Sequence, residues 1–229
     1  MSESTFHTVF TLFPNLTQLD FTGPHQFLSR IPNSKTTVAS RDGGVVDADG
    51  LSFAATTKMA DIETCDLLCV PGGFGTTQAA NDAEFIAQFK RLAGTATYIT
   101  SVCTGSIILG AAGLLTGKRA ACHWGWRDLL TLYGATPDDA RVVRDGNLIT
   151  GGGVTAGIDF ALAVLEEVAG AEVAQAVQLG LEYAPEPPFN SGRPETAPPE
   201  ILARVQTGME KVKAQRIAEA EAAARAMSD

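Results

Sequence analysis

The chain has 229 residues, of which 45% are hydrophobic and 19% charged, enough for one well-buried domain and without a compositional break that suggests two. Its net charge of -9, with Lys and Arg scattered outside the C-terminal tail, disfavours attraction to nucleic acid or anionic lipid. No apolar window reaches the length of a membrane span and no basic leader opens the chain, so the expected location is the cytoplasm. Four cysteines without CxxC spacing and three histidines suggest neither a zinc cluster nor a disulfide framework.

Taken in chain order, β-branched or apolar runs predict strands at 6–13, 35–40, 65–70, 97–102, 119–123, 140–146 and 147–152. Helical periodicity appears between them. Residues 83–93 place Phe85, Ile86, Phe89 and Leu92 on one side, and 106–115 and 158–170 read as helices buried on broad faces. Alternating strands and helices, with nearly continuous apolar strands, argue for an α/β sandwich with a mostly parallel sheet. Residues 183–199 contain six prolines and read as an extended surface excursion. A terminal helix follows, with Ile201, Val205, Met209 and Val212 on one stripe and an Ala-rich, charged far end expected to fray or lean on a partner subunit. The expected organisation is a single α/β domain over 1–200, with the helix 201–229 part of it or packed on it.

Cys103 lies where a strand gives way to a helix, with Gly105 permitting a tight turn. In parallel sheets ligands gather at the carboxyl ends of strands, and free N–H groups of a helix start favour a thiolate. That position favours a reactive thiol over an inert buried one. Cys65 and Cys69 alternate with the interior of their strand and read as structural, as does Cys122. Asp20, ahead of Thr22-Gly23-Pro24, reads equally as a helix cap, a turn aspartate or a functional carboxyl group. The glycines at 151–153 lie too late and with the wrong spacing for a nucleotide fingerprint; they let the next helix start close to the cysteine, so that Gly152 and Gly153 border the pocket. His123, beside Trp124, reads as a structural strand-end histidine outside the chemistry.

The combination of LDFTGP (19–24), VPGGFG (70–75), SVCTGSIILGAAGLLTGKRAACHW (101–124), RVVRDGNLITGGGVTAGIDFAL (141–162) and LEYAPEPPFNSG (181–192) resembles the PfpI/ThiJ superfamily and, within it, the isonitrile hydratases. The resemblance implies a flavodoxin-like three-layer sandwich, usually dimeric, with a nucleophile-elbow cysteine. It implies Cys103 as nucleophile, Asp20 as general acid and base, and backbone amides of the glycine loop, at Gly72 and Gly73, turned towards substrate or developing negative charge. Protease-like and amidase-like members place a histidine directly after the cysteine; here Thr104 stands there, expected to donate a hydrogen bond to the carboxyl group or the thiolate. A thiolate and a carboxyl group without an imidazole suit hydration of an isonitrile, which expels no amine, and need no metal or organic cofactor. Two rival readings are a ligand-sensing domain related to AraC-type regulators and a glyoxalase-like or deglycase-like enzyme. A homodimer acting on a small isonitrile is the expected assembly.

Overall fold

The apolar runs become strands because each is covered on both faces. In the computed structural model, which describes residues 5–228, the chain runs β1 (Phe6–Leu12), α1 (Gln18–Leu28), β2 (Ser34–Ser40), β3 (Val46–Ala48), β4 (Leu51–Phe53), β5 (Thr57–Lys58), β6 (Leu67–Val70), α2 (Thr76–Ala80), α3 (Ala83–Ala93), β7 (Tyr98–Val102) and α4 (Gly105–Ala111). It continues through β8 (Arg119–Ala120), a 3-10 helix (Arg127–Tyr133), β9 (Thr136–Pro137), β10 (Val142–Asp145), β11 (Leu148–Gly151), α5 (Ala156–Ala169), α6 (Ala171–Gly180) and α7 (Pro199–Ser228). Residues 1–4, where the chain start was read as lacking a leader, and residue 229, the expected end of the last helix, lie outside the described residues.

Seven strands form the main sheet in the order β10-β11-β7-β6-β1-β2-β5, all parallel except β10, which pairs antiparallel with β11. β6 is buried at every position, as a strand between two helix layers must be. On one face α1 packs against α5; on the other α2, α4 and α7 pack together, with α3 beside α2. This is the α/β sandwich expected from the alternation, in the flavodoxin-like three-layer form that the family resemblance implied. β1 has β2 on one side and β6 on the other, so the direction of winding reverses there. The loops leaving β1, β6, β7 and β11 therefore open at neighbouring carboxyl ends, where parallel sheets place their ligands.

Several local expectations are corrected. Of residues 119–123 only Arg119–Ala120 forms a strand, and it pairs with β9 in a small two-stranded sheet outside the main one, while the Ala121 N–H donates to Thr150 Oγ1 (2.8 Å). The helix sought over 106–115 ends at Ala111, because Gly113 turns the chain at φ 75°. α1 escapes periodicity since Gly23 and Pro24 interrupt it. α6 is separated from α5 by Gly170 at φ 86°.

α7 reverses its expected polarity. The stripe at its start is poorly covered, with Val205 45% exposed, whereas the far end is seated on this same chain. There Ala220 and Ala223 are buried, Arg216 is buried with them, and Tyr133 Oη donates to the Ala220 carbonyl at 3.0 Å. Small side chains let the helix come close enough for that contact, so the Ala-rich composition marks packing and not fraying. No helix among the described residues is long and apolar enough to cross a membrane.

Candidate active site

Four loops converge at the carboxyl ends of β1, β6, β7 and β11. β7 delivers Cys103 at φ 58°, left-handed backbone that a non-glycine residue adopts only under constraint. The constraint is visible: the Cys103 N–H donates to the carbonyls of Gly151 (3.1 Å) and Gly152 (2.9 Å). Gly105 is obligatory, since a Cβ there would stand 2.5 Å from the Val70 carbonyl oxygen. Cys103 thus stands on a left-handed strand-to-helix turn, on the wall of a cavity of about 170 Å³.

α1 brings Asp20 to the same place from its first turn, fully buried. Thr17 supplies no side-chain cap; the Gln18 N–H is instead taken by Asp49 Oδ2 (3.0 Å) from the β3–β4 turn. Asp20 is therefore free of capping. Its Oδ2 accepts the Gly72 N–H at 3.0 Å, while Oδ1 is buried with no hydrogen-bond partner among the described residues. The Cys103 thiol lies against this carboxyl group without a well-aligned bond to it. Burial pushes Asp20 up to about 7, against the pull of Cys103 and Gly72, with a small upward contribution from Asp49.

The sulfur does not rest as a ready thiolate. Burial, then Asp20 and Cys122, push the Cys103 thiol well above its ordinary range, outweighing the backbone N–H groups of Val154 and Thr104 that favour the anion. The N–H groups at the start of the turn do pull towards the anion, as expected, but α4 has only seven residues and desolvation is the larger effect. Burial also holds Cys69 up at about 12 and Cys65 and Cys122 at about 11.

Gly72 and Gly73 sit in the site, but their amides are engaged within the chain. Gly72 N–H holds Asp20, and Gly73 N–H donates to Thr104 Oγ1 (3.0 Å). A Cβ on Gly72 would come within 2.4 Å of the Thr104 nitrogen and 2.9 Å of Asp20 Oδ2. The Thr104 hydroxyl meets Thr76 Oγ1 (2.8 Å) and Gly73, and makes no hydrogen bond to the Asp20 carboxyl group. Gly152 acts through its carbonyl on Cys103. Gly153 abuts His123, where a Cβ would stand 2.9 Å from Cδ2, and both glycines line an adjoining cleft of about 450 Å³. His123 itself borders the Cys103 cavity; burial, then Arg216, lower its pKa. Sequence reasoning missed Phe74, Trp126, Val154 and Arg216 on this wall. Arg216 lies over 100 residues from Cys103 in a helix of alanines and charges; its one signal was its place on the stripe shared with Ala220 and Ala223. A separate cavity of about 300 Å³ is lined in part by Arg41, which pairs with Asp42 and Asp82.

The sequence pattern of the DJ-1/PfpI family matches residues 7–167, from β1 into α5. The chain belongs to the DJ-1/PfpI family. A solved ThiJ/PfpI family protein from Pseudomonas syringae superposes with a TM-score of 0.88 at 41% identity, covering 96% of this chain and 91% of that one. Among curated DJ-1/PfpI relatives, isonitrile hydratase from Pseudomonas putida is 50% identical over 194 residues, 84% of this chain and 85% of that protein. Protein dj-1beta from Drosophila melanogaster is 29% identical, covering 76% of this chain and 95% of that protein.

Proposed function

We propose that the chain is an isonitrile hydratase, adding water to an isonitrile to give an N-substituted formamide, with Cys103 as nucleophile and Asp20 as acid and base. The observation that carries this reading is the pairing of a strained cysteine with a buried, half-unpartnered carboxyl group in a chain 50% identical to an isonitrile hydratase. The isonitrile carbon is electrophilic and also holds the lone pair that must be protonated. With the Asp20 carboxylate free, the thiol proton passes to Oδ1 as the S–C bond forms. Asp20 then returns that proton to the carbon, leaving a thioimidate, Cys103–S–CH=N–R. Water adds across the C=N bond, giving oxygen to carbon and hydrogen to nitrogen with Asp20 as relay. Collapse breaks the C–S bond, releases HC(=O)–NH–R and restores the thiol. Gly72 fixes Asp20 by its amide, Gly73 fixes Thr104, and Gly152 and Gly153 hold the turn and His123. A metal or organic cofactor has no task in this sequence.

In this reading the enzyme is a homodimer in the cytoplasm. Support for pairing comes from the exposed apolar side chains Leu179, Phe189 and Val205. The test of the reaction is rapid-quench mass spectrometry with excess cyclohexyl isonitrile. The expected result is an adduct of one isonitrile mass on Cys103, formamide as product, and neither from Cys103→Ala. Formamide at wild-type rates from that variant would remove covalent catalysis. Turnover of methylglyoxal in place of isonitrile would favour an enzyme of electrophilic carbonyls.

A further inference from the structure

The family pattern ends at residue 167, yet the wall of the Cys103 cavity includes Arg216, from the middle of α7. This residue is 6% exposed. Its guanidinium carbon lies 4.8 Å from the centroid of Trp126 and 5.5 Å from that of Phe74, and Nη2 donates to the carbonyls of Gly73 (2.5 Å) and Phe74 (3.1 Å). These contacts offer only partial negative charge. No carboxylate stands within ion-pair distance of Arg216 among the described residues. Glu219, one turn further along, has its carboxylate taken by Thr77, Gln78 and Gln215. Arginine keeps its proton even when buried, so a full positive charge lies at this cavity with no ion-pair partner among the described residues, and with Glu219 acting on it only from beyond that distance.

The opposite deficit lies across the cavity. The ionisable groups around the Cys103 sulfur are Asp20 from α1, Cys122 and His123 from the loop after β8, and Arg216 from α7. Asp20 and Cys122 oppose a negative sulfur, and His123 is held towards its neutral form. Arg216 is the cation of this set.

We propose that Arg216 is the electrostatic partner of the Cys103 sulfur, holding the negative charge that forms there when the thiol proton leaves and again when the C–S bond breaks. It is a positioning residue: no bond to it forms or breaks, and its two carbonyl bonds keep the guanidinium fixed while the charge on sulfur comes and goes. Preorganised charge of this kind favours the transition state without reorganising when the reaction occurs. The role rests on Cys103 as the nucleophile assigned above.

Alkylation of Cys103 by iodoacetamide, followed against pH by peptide mass spectrometry, tests the charge without using an isonitrile. Arg216→Gln keeps a side-chain donor and removes the cation; Arg216→Lys keeps the cation and changes the donor geometry. In Arg216→Gln the pH midpoint of alkylation should rise by about one unit or more, with the rate at pH 8 falling roughly tenfold, the effect of one charge at close range in a partly screened interior. Arg216→Lys should hold its midpoint within a few tenths of a unit of wild type. Formamide formation should follow, with kcat lowered more than KM is raised. A wild-type midpoint in folded Arg216→Gln would overturn the proposal, reducing Arg216 to a clamp on the 73–74 loop. If Arg216→Gln does not fold, Arg216→Lys decides: a midpoint raised by a unit with the charge retained overturns it, and a wild-type midpoint upholds it. Midpoints that behave as expected in an enzyme producing no formamide would uphold the charge pairing and defeat only the assigned reaction.

Discussion

At the residue scale the decisive quantity is the free energy of burying Asp20. Its carboxyl group titrates near 7 in the fold against 3.8 as a model acid, because burial outweighs the Gly72 amide and the Cys103 thiol. The folded state thus binds the proton more tightly than the unfolded chain. Stability from this group is fully present below about 3.8, declines as pH rises to about 7 and stays lost above it, by as much as about 4 kcal/mol. Asp20→Asn, which carries no charge at any pH, should therefore raise Tm relative to wild type at pH 8 and lose that advantage at pH 4, measured by calorimetry. The same variant should lose most turnover, since an amide cannot cycle a proton. Wild-type kcat/KM should rise with pH through about 7, as the carboxylate that accepts the thiol proton appears. A flat profile from pH 6 to 8, or turnover by Asp20→Asn close to wild type, would contradict the assignment. A chemically essential group that destabilises its own fold is a common feature of active sites.

At the element scale α7 brings Arg216 to the wall of the Cys103 cavity. It is held by the packing of Ala220 and Ala223 and by the bond from Tyr133 Oη to the Ala220 carbonyl, all buried. Tyr133→Phe removes the donor and leaves a buried carbonyl oxygen facing a ring edge. The expected cost is about 1–2 kcal/mol, a fall in Tm of roughly 3–5 °C for a chain of this size. Because α7 carries Arg216, kcat should fall too, so thermal unfolding and formamide assays on one preparation check both. Wild-type Tm and kcat would show that this bond does not seat the helix. The main strands were legible in sequence because two-sided burial writes itself as uninterrupted apolar runs, as in β6. α1 was not, because Gly23 and Pro24 interrupt its pattern while Gly23 packs near Ile158 of α5 and Gly157 of α5 packs near Pro24. There a tertiary contact, and not local propensity, decides the helix.

At the scale of the whole molecule, the exposed Leu179 and Phe189 and the half-covered start of α7 leave apolar surface that a second copy would cover. A homodimer at micromolar concentration is expected in sedimentation velocity; a single monomeric species would count against it. The sequence by itself determined the alternating α/β architecture and pointed to a reactive cysteine at a strand-to-helix turn, because period, glycine punctuation and strand ends are local properties. Its resemblance to known families supplied Asp20 as the partner, a choice the residues alone left open. Only the tertiary structure decided that burial pushes the Cys103 thiol up, that the amides of Gly72 and Gly73 hold Asp20 and Thr104, and that Arg216 stands at the cavity more than 100 residues along the chain. Those outcomes depend on desolvation and on the meeting of distant segments at neighbouring strand ends. No window of sequence contains either quantity, since both are set by what the rest of the chain excludes from water.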